Sequence, residues 1–218
     1  LGGEAEPFTF HSIAPAGADL VYETDLDLRA LLDFLEATAR DMGLGEQVDW
    51  LFSNLDQPID PGLGLTWQDV YDHLDTEISV VLSMDPSTSL AQIPDTELTI
   101  PGLDGVVSLR DMAWLAEELL TTAPDGAVTV EQGDGFTLVS AAEDIPVPEG
   151  DAVYRPCLRI DHASGDVLVA SSPEYLATCL AADGALAADE DFLRLTDGLP
   201  REGNAFQYAS PELMGMIG

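Results

Sequence analysis

Arg155 and Arg159 stand four residues apart in Val153–Asp161, a segment whose alternation of apolar and polar side chains predicts a β-strand. On one strand face they would lie ~13 Å apart, too far to clamp a single carboxylate but suited to separate groups of an extended acidic ligand. They are the candidate ligand-binding residues because they are two of only seven positive side chains set against 41 acidic ones. The ordinary alternative is cross-strand pairing with acids such as Asp166 or Glu131.

Other chemistry is poorly supplied. All seven positive side chains are arginine, so lysine-dependent reactions are excluded: Walker-type phosphate loops, Schiff-base enzymes and Ser-Lys nucleophile pairs. No Gly-x-Ser-x-Gly elbow occurs, and His11, His73 and His162 are far apart in the chain. The glycines of Gly62-Leu63-Gly64 and Gly133-Asp134-Gly135 read as turns, because neither set has the third glycine and following helix of a dinucleotide loop. No catalytic residue, cofactor motif or metal site is identified. Asp25, Asp27, Asp33 and Glu36 fall at calcium-loop spacing, but Ala30 occupies the position that needs glycine. Asp72-His73, Asp75 and Glu77 read as the solvated end of a helix. Carboxylate pairs suited to glycoside hydrolysis are guaranteed by the number of acids and so carry no weight.

Cys157 and Cys179 are expected to stay unpaired. Alternation places Cys157 opposite Leu158 and Ile160, and a Cys179 helix packed on the Leu158/Ile160 face would hold the sulfurs on opposite sides of the sheet, beyond the ~7 Å Cα limit of a disulfide.

The formal net charge of −34 repels nucleic-acid backbones and anionic membrane surfaces, leaving a protein or a small ligand as the partner. A solvated acidic surface is its plainest meaning. A hydrophobic fraction of 46% is too high for a disordered acidic chain, so the protein folds. No run approaches the ~18 apolar residues of a membrane span, and the first residues lack a signal-peptide pattern.

The elements that would position these residues are helices and hairpins in irregular alternation, which predicts an α+β fold with a mainly antiparallel sheet. A strand at Leu20–Tyr22 leads to a capping box, Thr24 to Asp27, and a helix with the stripe Leu28, Leu31, Leu32, Leu35. Further stripes are Val48, Leu51, Phe52, Leu55 and Trp67, Val70, Tyr71, Leu74, with Trp50, Trp67 and Trp114 all taken as core. Ile78, Val80, Leu82 and Met84 predict the buried face of a strand. Asp85–Gly105 reads as a connection with a short strand at 97–100, and Ser108 as the cap of a helix carrying Met112, Leu115, Ala116 and Leu119 inward. Hairpins follow at 127–140 and 153–171. Between them Ile145-Pro146-Val147-Pro148 reads as a linker, which leaves one unit over 1–218 or two subdomains, 1–144 and 151–218, both open. Ser172-Pro173-Glu174 and Ser210-Pro211-Glu212 open helices, a short helix covers Asp189–Thr196, and a strand covers Ala205–Ala209.

Asp166–Leu176, Leu186–Phe192 and Asn204–Ser210, with the opening Ala18–Asp25, resemble a group of uncharacterised secreted or periplasmic bacterial proteins in their order of strand, Ser-Pro-Glu helix, Phe-containing helix and strand. The resemblance covers about half the chain. It implies an extracytoplasmic location and a longer parent protein, and it carries no catalytic residues; the missing lysine departs from the group. The expected function is a non-catalytic extracytoplasmic module that binds or scaffolds. The alternative is a carboxylate-based hydrolase acting on glycans, which would show a deep cleft with two facing acids and exposed tryptophan.

Overall fold

The computed structural model describes residues 5–59, 64–73, 75–92 and 99–217. Its strands, in chain order, are β1 (Glu6–Pro7), β2 (Leu20–Asp27), β3 (Asp75–Gln92), β4 (Thr99–Leu109), β5 (Val128–Gln132), β6 (Phe136–Ala141), β7 (Ile145–Pro146), β8 (Val153–Tyr154), β9 (Cys157–Asp161), β10 (Val167–Ala170), β11 (Glu202–Gly203) and β12 (Ala205–Ala209). The helices are α1 (Leu28–Asp41), α2 (Gly45–Phe52), α3 (Trp67–Asp72), α4 (Ala113–Thr121), α5 (Pro173–Leu180), α6 (Glu190–Thr196) and α7 (Pro211–Ile217), with 3₁₀ turns at Phe10–Ile13 and Leu186–Ala188. Eight strands form one antiparallel sheet in the order β12-β2-β3-β4-β10-β9-β6-β5. The fold is α+β. The Ile145–Pro148 segment contributes β7 to a separate ribbon with β8, while β6 and β9 on either side of it are neighbours in the main sheet.

The core follows from the strand registers. Tyr208, Val21, Val81, Val106, Ala170 and Cys157 form one row across six strands, each a direct cross-strand partner of the next. Five of the six are small or β-branched, so helix α5 can approach the sheet. Tyr175, Leu176 and Cys179 of α5 pack over this row with Phe10, Ala14, Leu186 and Phe192. A second cluster on the opposite face joins Ile160 and Val167 to Ala116 of α4, flanked by Met112 and Leu120.

Three helix openings and one strand follow their sequence signals. Ser172 Oγ accepts from Tyr175 N at 3.0 Å. Asp189 Oδ1 accepts from Asp191 N and Phe192 N, and Ser210 Oγ accepts from Leu213 N. The strand Ala205–Ala209 is as read.

The hairpins read at 127–140 and 153–171 are present as β5–β6 and β9–β10, but at several other places tertiary pairing overrides the local signal. Thr24–Asp27 is not a capping box: β2 runs through to Asp27, paired with β3 over its whole length and with β12 as far as Thr24. Ser108 lies within β4 and caps nothing. Helix α4 starts after Met112 without a side-chain cap. The turn before it bends at Asp111, with a φ of 53°, and Asp111 N donates to Asp166 Oδ1. The proline-bearing stretch after Asp85 is the distal part of a long β3–β4 hairpin, in which Pro101 falls at a register irregularity opposite Ser89. At Gly102 a Cβ would collide with Thr88 Oγ1, so glycine lets this bulge form with the threonine in place.

The burial of β3 is the reverse of expectation. Val81 and Ser79 are buried, whereas Ile78, Val80, Leu82 and Met84 are half-buried on the face shared with α4's cluster. Alternation reports the period but not which layer covers each face more completely. The tryptophan reading is also corrected: Trp50 and Trp67 are 69% and 51% exposed, and Trp114 is half-buried against His73, ring centroids 4.3 Å apart. Leu32 and Leu35 of the α1 stripe and Leu119 of the α4 stripe are likewise exposed, while Val48 is buried. Leu74, Asp60–Gly62 and the first half of the short strand read at 97–100 lie outside the described residues, while Thr99 and Ile100 begin β4.

Cys157 and Cys179 are both free, but not for the reason of opposite faces, since both belong to the same core cluster. Burial pushes each thiol up to about 11. Thiolate is the reactive form, so neither should titrate with Ellman's reagent at about pH 8 in the folded protein, and both should react in guanidinium. Prompt reaction of either thiol in the native state would contradict the packing described here.

A candidate ligand cleft

A cleft of about 510 Å³ opens between the N-terminal segment, α6 with the turn that follows it, and β12. Each wall has a local cause. Glu6 and Pro7 pair with Gly203 and Glu202, and Phe8 N donates to Arg201 O at 3.0 Å. The Phe8 ring lies over Gly203, where a Cβ would stand 2.8 Å from Phe8 Cζ. The buried Glu23 carboxylate accepts from Thr9 N and Phe10 N, all contacts within 3.0–3.1 Å, and so anchors the turn that carries His11. Asp189 opens α6 and places Phe192, while β12 places Phe206.

These supports bring four rings together. Phe8 and Phe206 are 5.3 Å apart, His11 stacks on Phe192 at 5.7 Å, and both His11 and Phe192 lie 6.2 Å from Phe206. Such spacings lie within the favourable range for aromatic pairs. His11 Nδ1 is enclosed and has no hydrogen-bond partner among the described residues. Leu193 and Leu199 extend the apolar wall, and Asp197 and Arg201 bring its two charges. The volume suits a small organic ligand.

Arg155 and Arg159 are placed elsewhere, and not together. Arg155 lies between β8 and β9, where the strand is interrupted, and its Nε donates to Asp144 at 2.8 Å. Arg159 is on β9 between Leu138 and Leu168, its guanidinium 3.9 Å from the Phe136 ring centroid and 3.9 Å from Asp161. Neither lines the cleft, and neither meets Asp166 or Glu131.

Acids gather instead beside β1. Glu6, Glu23, Asp25 and Glu77 surround a space of only about 10 Å³, room for one water at most. Arg110 bridges Glu6 and Glu77 there. Burial pushes the Glu77 carboxyl above the usual range against the opposing pull of Arg110. Among the described residues, no group of His, Cys, Asp and Glu is arranged to hold a metal ion.

Comparison with protein-family models, curated proteins and solved structures gives no match. The site is therefore read from its own geometry. Sequence reasoning missed it because its residues come from three separated stretches, Pro7–His11, Ala187–Arg201 and Phe206. One signal was available: Phe8, Phe10 and His11 crowd aromatic rings into a short segment with no helical or strand period.

Proposed function

We propose that this chain is a non-catalytic, extracytoplasmic bacterial module that binds a small apolar ligand in the cleft between Phe8, Phe192 and Phe206. The observation that carries this reading is an aromatic cleft of about 510 Å³ whose lining contains one carboxylate, Asp197, and neither serine nor cysteine. A binding site needs an apolar enclosure with a few polar groups, which this lining supplies. General acid–base hydrolysis of a glycoside needs a facing pair of carboxyl groups, which it does not. The extracytoplasmic assignment rests on the resemblance of Asp166–Leu176 and the segments around it.

The second reading, a carboxylate-based glycan hydrolase, draws support from the exposed rings of Trp50 and Trp67, since sugars stack on such surfaces. Neither tryptophan lines the cleft.

A thermal-melt screen of apolar acids, apolar alcohols and oligosaccharides distinguishes the two. Binding to the folded state raises the midpoint in proportion to ligand excess. The expected result is a rise with apolar compounds that is lost in Leu199→Glu, a change at an exposed position on the cleft wall. Absence of any rise, or a rise unaffected by Leu199→Glu, would remove the cleft from the account. Hydrolysis of a chromogenic glycoside panel would favour the second reading.

A further inference from the structure

The arginines can be sorted by what they touch. Arg40 meets Glu36 and Asp49, Arg110 meets Glu6 and Glu77, Arg155 meets Asp144, and Arg194 meets Asp191. Arg29 donates to the carbonyls of Tyr71 and Asp72, and Arg159 lies over Phe136 beside Asp161. Among the described residues, only the Arg201 guanidinium has no such partner, in a chain with 41 acids. It is also the only arginine that lines the aromatic cleft.

From this pairing of an uncommitted cation with an aromatic wall, we propose that the ligand is an aromatic monocarboxylate, its ring system among Phe8, His11, Phe192 and Phe206 and its carboxylate on Arg201. The proposal rests on the binding-module reading and names its ligand class. Guanidinium matches a carboxylate with paired donors, and the bond is charge-assisted. The net charge of −34 does not forbid an anion at this point. Charges beyond about 10 Å are screened at physiological ionic strength, whereas a contact partner is not. The one carboxylate in the lining is Asp197, whose like charge places the ligand's acid group on the Arg201 side. The backbone of Arg201 is fixed, because its carbonyl accepts from Phe8 N, one of the contacts that build the wall. The cation is thus tied to the aromatic surface it would serve.

The test compares naphthylacetate with its neutral isostere naphthylacetamide by isothermal titration calorimetry on the whole chain, and repeats both with Arg201→Gln and Asp197→Asn. Arg201 and Asp197 are exposed, and unchanged melting midpoints would confirm that both variants fold. The acid should bind about tenfold more tightly than the amide, the typical worth of a hydrogen bond to a charged group. That preference should vanish in Arg201→Gln and grow in Asp197→Asn. The whole-molecule charge disfavours the acid, so a preference for it has to come from a local group. Equal binding of acid and amide would overturn the ligand class while leaving the cleft an apolar site. A preference for the acid that survives Arg201→Gln would overturn the role of Arg201. Binding of neither compound would overturn both this proposal and the binding reading beneath it.

Discussion

Glu23→Ala is expected to destabilise the protein by about 2–4 kcal/mol, since the amides of Thr9 and of the buried Phe10 both lose their acceptor. Glu23 is 5% exposed, and both of its oxygens are used on Thr9 N, with Phe10 N as a further donor. Alanine supplies neither acceptor, and the space it leaves is bounded by Phe206 and Ser79, the register neighbours of Glu23 on β12 and β3. In a chain of this size, ~3 kcal/mol corresponds to a midpoint fall of roughly 6–12 °C. The loss is also local. Without this anchor, Thr9, between Phe8 and His11, loses its acceptor, although the β1–β11 pairing, the Phe8–Arg201 backbone bond, the bond from Gly184 N to Ser12 O and the buried Phe10 still hold the segment on either side. The variant should therefore lose cleft binding out of proportion to its stability, even well below its melting midpoint. Glu23→Gln keeps one carbonyl acceptor and should fall between the two. Calorimetric melts with parallel ligand titrations check both effects. A Glu23→Ala protein with wild-type midpoint and binding would show that the carboxylate does not anchor the wall.

Asp19→Ala should cost a similar amount, about 2–4 kcal/mol, with no local effect on the cleft. Asp19 is 8% exposed and joins three parts of the fold. Its Oδ2 accepts from Met84 N of β3 at 2.7 Å, and its Oδ1 accepts from Ser210 Oγ at 2.7 Å. Ser210 N returns a bond to Asp19 O, and Ser210 Oγ in turn accepts from Leu213 N at the start of α7. The residue thus connects the start of β2 to β3 and to the first turn of α7. Asp19→Asn retains one acceptor oxygen and should recover part of the loss. Chemical denaturation of the three proteins, with ligand affinity measured in the folded baseline, separates this global effect from the local one at Glu23. Equal stability of Asp19→Ala and wild type would refute the connection.

The two carboxylates show why part of the structure was legible and part was not. Caps and hairpins depend on neighbours a few residues away. Ser172, Asp189 and Ser210 were accordingly readable as helix openings, and Ala205–Ala209 as a strand. Thr24–Asp27 carries an equally good local signal and fails, because pairing with β3, joined at Thr24 by β12, engages the same backbone through residues distant in sequence. Face assignment fails for the same physical reason. The set containing Val81 carries Ser79 and Ser83 and is the less apolar of the two on β3, yet the layer of α5, Leu186 and Phe192 covers it more completely. Trp50 and Trp67 sit on helices whose period is right, yet their rings remain in solvent. At the site, Arg155 and Arg159 drew notice through spacing along one predicted strand, which breaks between them. Arg201 has no spacing to mark it. Its distinction is the absence of a partner, a property that exists only once the chain has folded.

Binding of an aromatic monocarboxylate in the cleft beside Arg201 is tested most directly by a crystal structure of the chain saturated with naphthylacetate. The ring system should lie among Phe8, Phe192 and Phe206, with the carboxylate within hydrogen-bonding distance of the Arg201 guanidinium. A saturated crystal with an empty cleft, or with the ligand lodged instead against exposed rings such as Trp50 and Trp67, would contradict it.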